Sequence, residues 1–424
     1  MIQNSLHLMR ARRFVPLFAT QALGAFNDSL FKQAVVLFVT YQLYSDATKE
    51  FQFSAIAQGL FILPFFLFSA LAGQLADDHD KAKLIRIIKT AEIGIMLVGA
   101  AGILLASIPL MLAAVFAMGV HSTFFGPIKY AILPQHLERD EVLGGTGLVE
   151  AGTYLAILFG TILAGVLAAR SQVAAIAVIG FAFLGLLAGR QVPPAPPQAE
   201  RMQINWHIVR ASIQLVSATM HIRRLFLAIL AISFFWAIGA VLIIIFPPLV
   251  KNVLGADEQV ASLFIAIFSI GIAIGSVLIN RLLKSEVSAR YAPASVVVMG
   301  GFVLMLHFIA LAWGKHAQEL TTLGNFLSHP SAGLMIAALL GVAISGGMFV
   351  VPLYAFLTTT VPKAETARTV AANNIVNSGA MVIGSGLAFA LSSAGVGPTG
   401  QLVLVAAMCL VSAWLGYKLH LACD

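Results

Sequence analysis

Leu225–Leu254 reads LFLAILAISFFWAIGAVLIIIFPPLVKNVL, with Lys251 its one charged side chain. The hydrocarbon core of a bilayer is about 30 Å thick, and a helix rising about 1.5 Å per residue crosses it in roughly 20 residues. This stretch is therefore a membrane span, and the rest of the chain divides in the same way. Apolar runs of similar length predict spans at Phe14–Tyr44, Phe51–Ala76, Leu84–Ser107, Pro109–Tyr130, Leu143–Ala169 and Val173–Ala188 before it. After it come Val260–Leu283, Tyr291–Trp313, Ser331–Leu357, Thr366–Leu391 and Gln401–Leu421. Of the 424 residues, 59% are hydrophobic and 10% charged, whereas a soluble domain carries about 25% charge. Backbone groups in lipid must be satisfied internally, and these runs are too long and too evenly apolar for barrel strands, which alternate over about 10 residues. The expected fold class is all-α: a polytopic membrane protein with 12 transmembrane helices in two six-helix halves.

The halves are residues 1–190 and 225–424, joined by a cytoplasmic linker at 191–224. The linker opens with Val192-Pro-Pro-Ala-Pro-Pro197, and clustered prolines have no amide donors with which to extend a helix. Behind it, Trp206, Val209, Ile213, Val216 and Met220 recur at helical spacing among polar residues, the pattern of a helix lying along a membrane surface. Placement of Lys and Arg tests the count. With a cytoplasmic N-terminus, 20 of the 25 fall on the cytoplasmic side; Lys49, Arg170, Lys251 and Lys315 fall on the other, and Lys32 lies inside a span. That asymmetry places both termini in the cytoplasm. It also accounts for the net charge of +7 without nucleic acid. Met1–Arg13 runs straight into a full-length span with no cleavage site, so it does not read as a secretory signal. Cys409 and Cys423 form neither a disulfide framework nor a metal site, and no cofactor is expected.

The loop after the second span reads Gly73-Gln-Leu-Ala-Asp77-Asp-His-Asp-Lys81-Ala-Lys83, and the corresponding place in the second half reads Gly275-Ser-Val-Leu-Ile-Asn280-Arg281-Leu-Leu-Lys284. In each a glycine near the end of a span precedes basic residues, and glycine lets helices approach closely. The spacing resembles the Gly-x-x-x-Asp signature of the major facilitator superfamily, although Asp78 stands where a basic residue is usual. The resemblance implies two parallel halves rocking around a midplane site, with Gly73, Asp77, Lys81 and Lys129 in gating positions. A narrower resemblance rests on three stretches: Phe14–Asp28, Gly126-Pro-Ile-Lys129-Tyr130-Ala-Ile-Leu-Pro134 and Gly147-Leu-Val-Glu150-Ala-Gly152. Together they look like the lysophospholipid transporters of bacteria, and closer still like the transporter domain fused in some bacteria to an acyltransferase and an acyl-carrier-protein synthetase. That resemblance implies movement of lysophospholipids such as lysophosphatidylethanolamine across the bacterial inner membrane. It further implies membrane lipids and a separate acyltransferase/acyl-carrier-protein synthetase as partners. The chain departs from those transporters at span seven, where Ala240-Val-Leu-Ile243 stands in place of an expected arginine.

No enzyme is expected. None of the ten histidines has an Asp five positions later, as an acyltransferase base would, and no Gly-x-x-x-x-Gly-Lys-Ser/Thr loop is present for ATP. Function is therefore sought among polar residues inside spans, which are costly in lipid. Asp28 and Lys32 are four apart on one face of span one; a carboxylate suits an ammonium and a lysine suits a phosphate, with Asn27 adding an amide. Glu150, Asn373 and Asn377 complete the candidate substrate-binding set, the asparagines serving equally well as glue between helices. Glu92 and Lys89 read as a same-face pair at the cytoplasmic rim. His121 and His307 read as packed, hydrogen-bonded imidazoles, and Gly341, Ser345, Gly346 and Gly347 as a close-packing surface. The 29 phenylalanines, mostly packing residues, include runs such as Phe61, Phe65, Phe66, Phe68, Phe124 and Phe125 that could wall an acyl chain. The expected function is flippase-like transport of lysophospholipids by alternating access. Two alternatives stand beside it: a proton-coupled exporter of drugs or small amphiphiles, and a non-transporting scaffold for a phospholipid acyltransferase.

Overall fold

Twelve helices of 20 or more residues make up most of the described chain. The computed structural model describes residues 6–138, 141–197, 204–283, 288–314, 320–359 and 366–423. In chain order the helices are α1 (Val15–Phe38), α2 (Ala47–Asp78), α3 (Lys81–Leu104), α4 (Ile108–Ala131), α5 (Val142–Leu167) and α6 (Ser171–Arg190), then the short α7 (Ile208–Met220). They continue with α8 (Arg223–Asn252), α9 (Glu258–Leu282), α10 (Ala292–Leu311), α11 (Ala332–Thr359), α12 (Thr366–Ser393) and α13 (Pro398–Cys423). Every expected span is present, with ends displaced by at most four residues once the π-helical turn Val39–Leu43 is counted with α1. Eleven are long and apolar enough to cross a bilayer over their described residues, and Ala151–Leu167 is the shorter apolar part of α5. The protein is a multi-pass membrane protein.

Contacts divide the chain into two units. Unit 1 is Met1–Phe38 with Leu67–Ala211; unit 2 is Val39–Phe66 with Ser212–Asp424. The outer part of the first hairpin thus groups with the C-terminal helices rather than with its neighbours in sequence. Within unit 1, α1 packs on α5 and α6, and α3 on α4 and α6. Within unit 2 the same pattern recurs: α8 packs on α12 and α13, and α10 on α11 and α13. Four helix pairings of unit 1 thus recur at the equivalent places of unit 2, as an internal repeat would give.

Local chemistry explains where the helices begin. Asp80 caps α3, its carboxylate accepting from Ala82 N at 2.9 Å and Lys83 N at 3.1 Å. Asp257 caps α9 through Gln259 N and Val260 N, both at 3.1 Å. Such caps satisfy amides that the first helical turn leaves without partners. Glu141, just before α5, takes Arg13 Nη2 at 2.7 Å, His7 Nε2 at 2.9 Å and the Glu138 amide at 2.9 Å. The Glu138 amide first, then His7 and Arg13, hold its carboxyl below the ordinary value of 4.5.

The proline-rich start of the linker is docked rather than loose. Lys81 N donates to Ala195 O at 3.0 Å, and Arg86 Nη2 reaches Val192 O at 3.4 Å. Val192 and Ala195 are buried in a cluster with Leu8, Phe14, Leu17, Ile85 and Ile128. Trp206, just before α7, and Val209 and Ile213 within it are exposed, as a helix with an apolar face toward lipid requires.

Glycine governs the closest approach in unit 2. A β-carbon at Gly275 of α9 would collide with the Ile344 carbonyl of α11, and one at Gly347 of α11 with the Ile272 carbonyl of α9. Gly341 and Gly346 likewise face Phe302 and Phe235 rings at 2.6 and 2.9 Å, so the close-packing surface read from sequence is real. Gly73 is a correction: nothing lies within 4 Å of where its β-carbon would be, and it mediates no tight crossing.

Candidate binding site in the membrane interior

Helix α3 carries two charged residues, Lys89 and Glu92, that are wholly inaccessible to solvent. Lys89 Nζ donates to Glu92 Oε2 at 2.7 Å. The pair expected from their spacing therefore forms, but deep among packed helices rather than at a wet rim. Room for the lysine comes from glycines: a β-carbon at Gly24 of α1 would stand 2.5 Å from Lys89 Nζ, and Gly185 and Gly189 of α6 leave space along its stem. Phe125 lies 5.0 Å from the ammonium, within cation–π range. An ion pair so buried persists only if the remaining polar atoms are also satisfied.

The neighbours of Glu92 do this. Asn27 Nδ2 of α1 donates to Glu92 Oε1 at 2.9 Å. His121 Nε2 of α4 stands 3.3 Å from Glu92 Oε2 without forming a hydrogen bond. Ser122, the next residue of α4, donates to Asp28 Oδ2, the next residue of α1. Asp28 is partly accessible; among the described residues its Oδ1 and the Oδ1 of Asn27, both buried, accept no hydrogen bond. Lys32, one turn on along α1, is partly accessible and near enough to Asp28 for its charge to be felt. Of the sequence candidates, then, Asn27, Asp28 and Lys32 stand on one side of unit 1. The structure adds Glu92, Lys89, His121 and Ser122 to them.

The other candidates fall elsewhere. Lys129 sits at the end of α4 with its ammonium 4.7 Å from the Tyr130 ring, as an interfacial anchor would. Asp77 is exposed near the end of α2, and Lys81 is buried at the start of α3 beneath the docked linker. The side chain of Glu150 lies outside the described residues. In unit 2, Asn377 accepts from Ser233 Oγ at 2.7 Å and donates to Tyr354 Oη at 3.2 Å, while Trp236 Nε1 donates to the same Tyr354 Oη at 2.8 Å. Asn373 is fully buried, and neither amide atom has a partner. Ala240, Val241 and Leu242, where an arginine was sought, are buried apolar residues of α8. His307 Nδ1 donates to Thr399 O at 2.8 Å, a packed imidazole as expected.

Ser122, Ser233, Trp236 and Tyr354 were invisible to sequence reading. A serine in a span ordinarily bonds back to its own helix, and only the crossing of helices shows that Ser122 meets a carboxylate. The single available signal was the adjacency of His121 and Ser122 in an otherwise apolar run.

The profile described as Major Facilitator Superfamily matches residues 17–385. The "Lysophospholipid transporter LplT" of Citrobacter koseri is 27% identical over 382 residues, covering 89% of this chain and 88% of that protein. The protein of the same name from Salmonella newport is 26% identical, with 89% and 87% covered. Among solved structures, the POT family transporter PepTSo superposes with a TM-score of 0.71 at 11% identity, covering 97% of this chain and 99% of that one. A D-xylose-proton symporter gives 0.67 at 14%, with 95% and 97% covered. At such identities the structures speak for the fold alone.

Proposed function

Because the chain belongs to the Major Facilitator Superfamily, we propose that it is a carrier, not an enzyme, that moves lysophospholipids across the bacterial inner membrane by alternating access. Near-full-length similarity to transporters named for that cargo supports the substrate class. The observation that carries the headgroup assignment is Asp28, a partly accessible carboxylate anchored by Ser122 through one oxygen while its other oxygen, Oδ1, has no donor among the described residues. An ammonium such as that of lysophosphatidylethanolamine brings the donors and the opposite charge. Lys32 would meet the phosphate. Asn377 and Glu150 are proposed to assist, and Asn373, fully buried with both side-chain amide atoms unpartnered among the described residues, would contribute only once helix movement exposes it. Lys129, Lys81, Asp77 and Gly73 belong to the moving cytoplasmic end of the first of the two six-helix halves, 1–190 and 225–424. A separate acyltransferase/acyl-carrier-protein synthetase would consume the delivered lipid.

The test is uptake of labelled lysophosphatidylethanolamine by purified protein in proteoliposomes. Asp28→Asn and Lys32→Ala should each lower uptake by at least tenfold at normal protein level, the loss of about one charge-assisted bond. Persistence without a pH gradient separates this reading from a proton-coupled exporter. Wild-type liposomes that leave the lysolipid on its original leaflet would refute it.

A further inference from the structure

Two consecutive residues of α1 and two of α4 build a pair of rungs across unit 1. The upper rung is the hydrogen bond from Asn27 to Glu92 of α3 at 2.9 Å, extended to α4 by His121 Nε2, which stands 3.3 Å from Glu92 Oε2 without a hydrogen bond. The lower rung is the direct bond from Ser122 to Asp28. Since residues 27 and 28 share a backbone, as do 121 and 122, any rotation of α1 or α4 that spoils one rung moves the other. Glu92 is the shared post of the upper rung. Its charge is matched by Lys89 at 2.7 Å, for which Gly24, Gly185 and Gly189 clear the space. A buried carboxylate with this many donors is fixed in one rotamer, and networks of this kind rigidify the helices that bear them. Glu92 and Lys89 have no accessible surface, so neither can touch cargo; Asp28, partly accessible, can.

We infer that Glu92, held by Lys89, is a positioning residue that fixes Asn27 and His121 and so aims the Asp28–Ser122 pair at the cationic group of the cargo. The inference rests on the proposed transport of lysolipids. It assigns to a buried ion pair the selection of headgroups bearing an ammonium over those without one.

The full-length protein in proteoliposomes is offered lysophosphatidylethanolamine and lysophosphatidylglycerol, which differ in the headgroup ammonium. Three variants are compared: Ser122→Ala, Glu92→Gln, and the double variant Lys89→Met with Glu92→Gln, which removes both charges and leaves neither uncompensated. Thermal midpoints in detergent report folding. Ser122→Ala and the double variant should melt near the wild type, while KM for the ethanolamine lipid rises about tenfold and its uptake relative to the glycerol lipid falls by a similar factor. A merely structural pair would lower the amount of folded carrier without changing that ratio. An unchanged ratio in folded Ser122→Ala and double-variant protein therefore overturns the inference, even if Glu92→Gln alone fails to fold. If the wild type carries lysolipid and Asp28→Asn abolishes its headgroup preference, the transport reading stands whatever these variants do. If the wild type carries neither lipid, both fall together.

Discussion

Single charges inside the protein have large consequences because they have no water to fall back on. In unit 2, Glu50 is fully buried and accepts from Lys251 Nζ at 2.5 Å and Asn252 Nδ2 at 2.6 Å. Lys251 also donates to the carbonyls of Thr40 and Tyr44. Sequence placed Lys251 among the few cations on the non-cytoplasmic side but could not say what it met; its partner lies 201 positions away. Replacing Lys251 with Met leaves Glu50 charged and unmatched, which costs about 3–5 kcal/mol. The double variant Glu50→Gln with Lys251→Met should recover most of that loss. Thermal midpoints of purified protein at neutral pH check both, and a Lys251→Met midpoint equal to wild type would show that the pair contributes nothing.

Helix contacts are decided by what is missing from the crossing points. The α9–α11 pair meets glycine against backbone from both sides, and dispersion between close backbones takes the place of a hydrophobic drive that lipid cannot supply. Gly275→Ala and Gly347→Ala should each destabilise by about 1–3 kcal/mol, because the added methyl meets a carbonyl that cannot move without its helix. Gly73→Ala should be neutral or slightly stabilising, gaining up to about 1 kcal/mol of helix propensity with nothing in the way. The same melting measurement ranks the three, and an intolerant Gly73 would contradict the open space around it. Both glycine positions carried the same sequence signature; only the neighbours distinguish them. The linker shows a similar limit. Its prolines correctly excluded a helix, yet nothing in their pattern revealed that Ala195 would pair with the start of α3.

At the scale of the whole molecule, orientation is the property most open to test. The Lys and Arg bias predicts that a green fluorescent reporter fused after Asp424 fluoresces in the cytoplasm. Alkaline phosphatase fused after Arg170 should be active outside it. The opposite pattern at either site would overturn the orientation. Helix number and span limits were legible in the chain because the membrane imposes a one-dimensional rule: about 20 apolar residues per crossing. The repeat was legible too, since it is an order of segments, and the recurring packing of α1 with α5 and of α8 with α12 agrees with it. The interior polar network was not legible beyond its members on one helix. Asp28 and Lys32 could be seen as neighbours because helical spacing is local, whereas Glu92 meeting Asn27 and His121, or Ser122 meeting Asp28, depends on three helices crossing at one depth. Spans follow from hydrophobicity, which each segment carries alone; the pairing of buried charges follows from packing, which no segment carries until the others are in place.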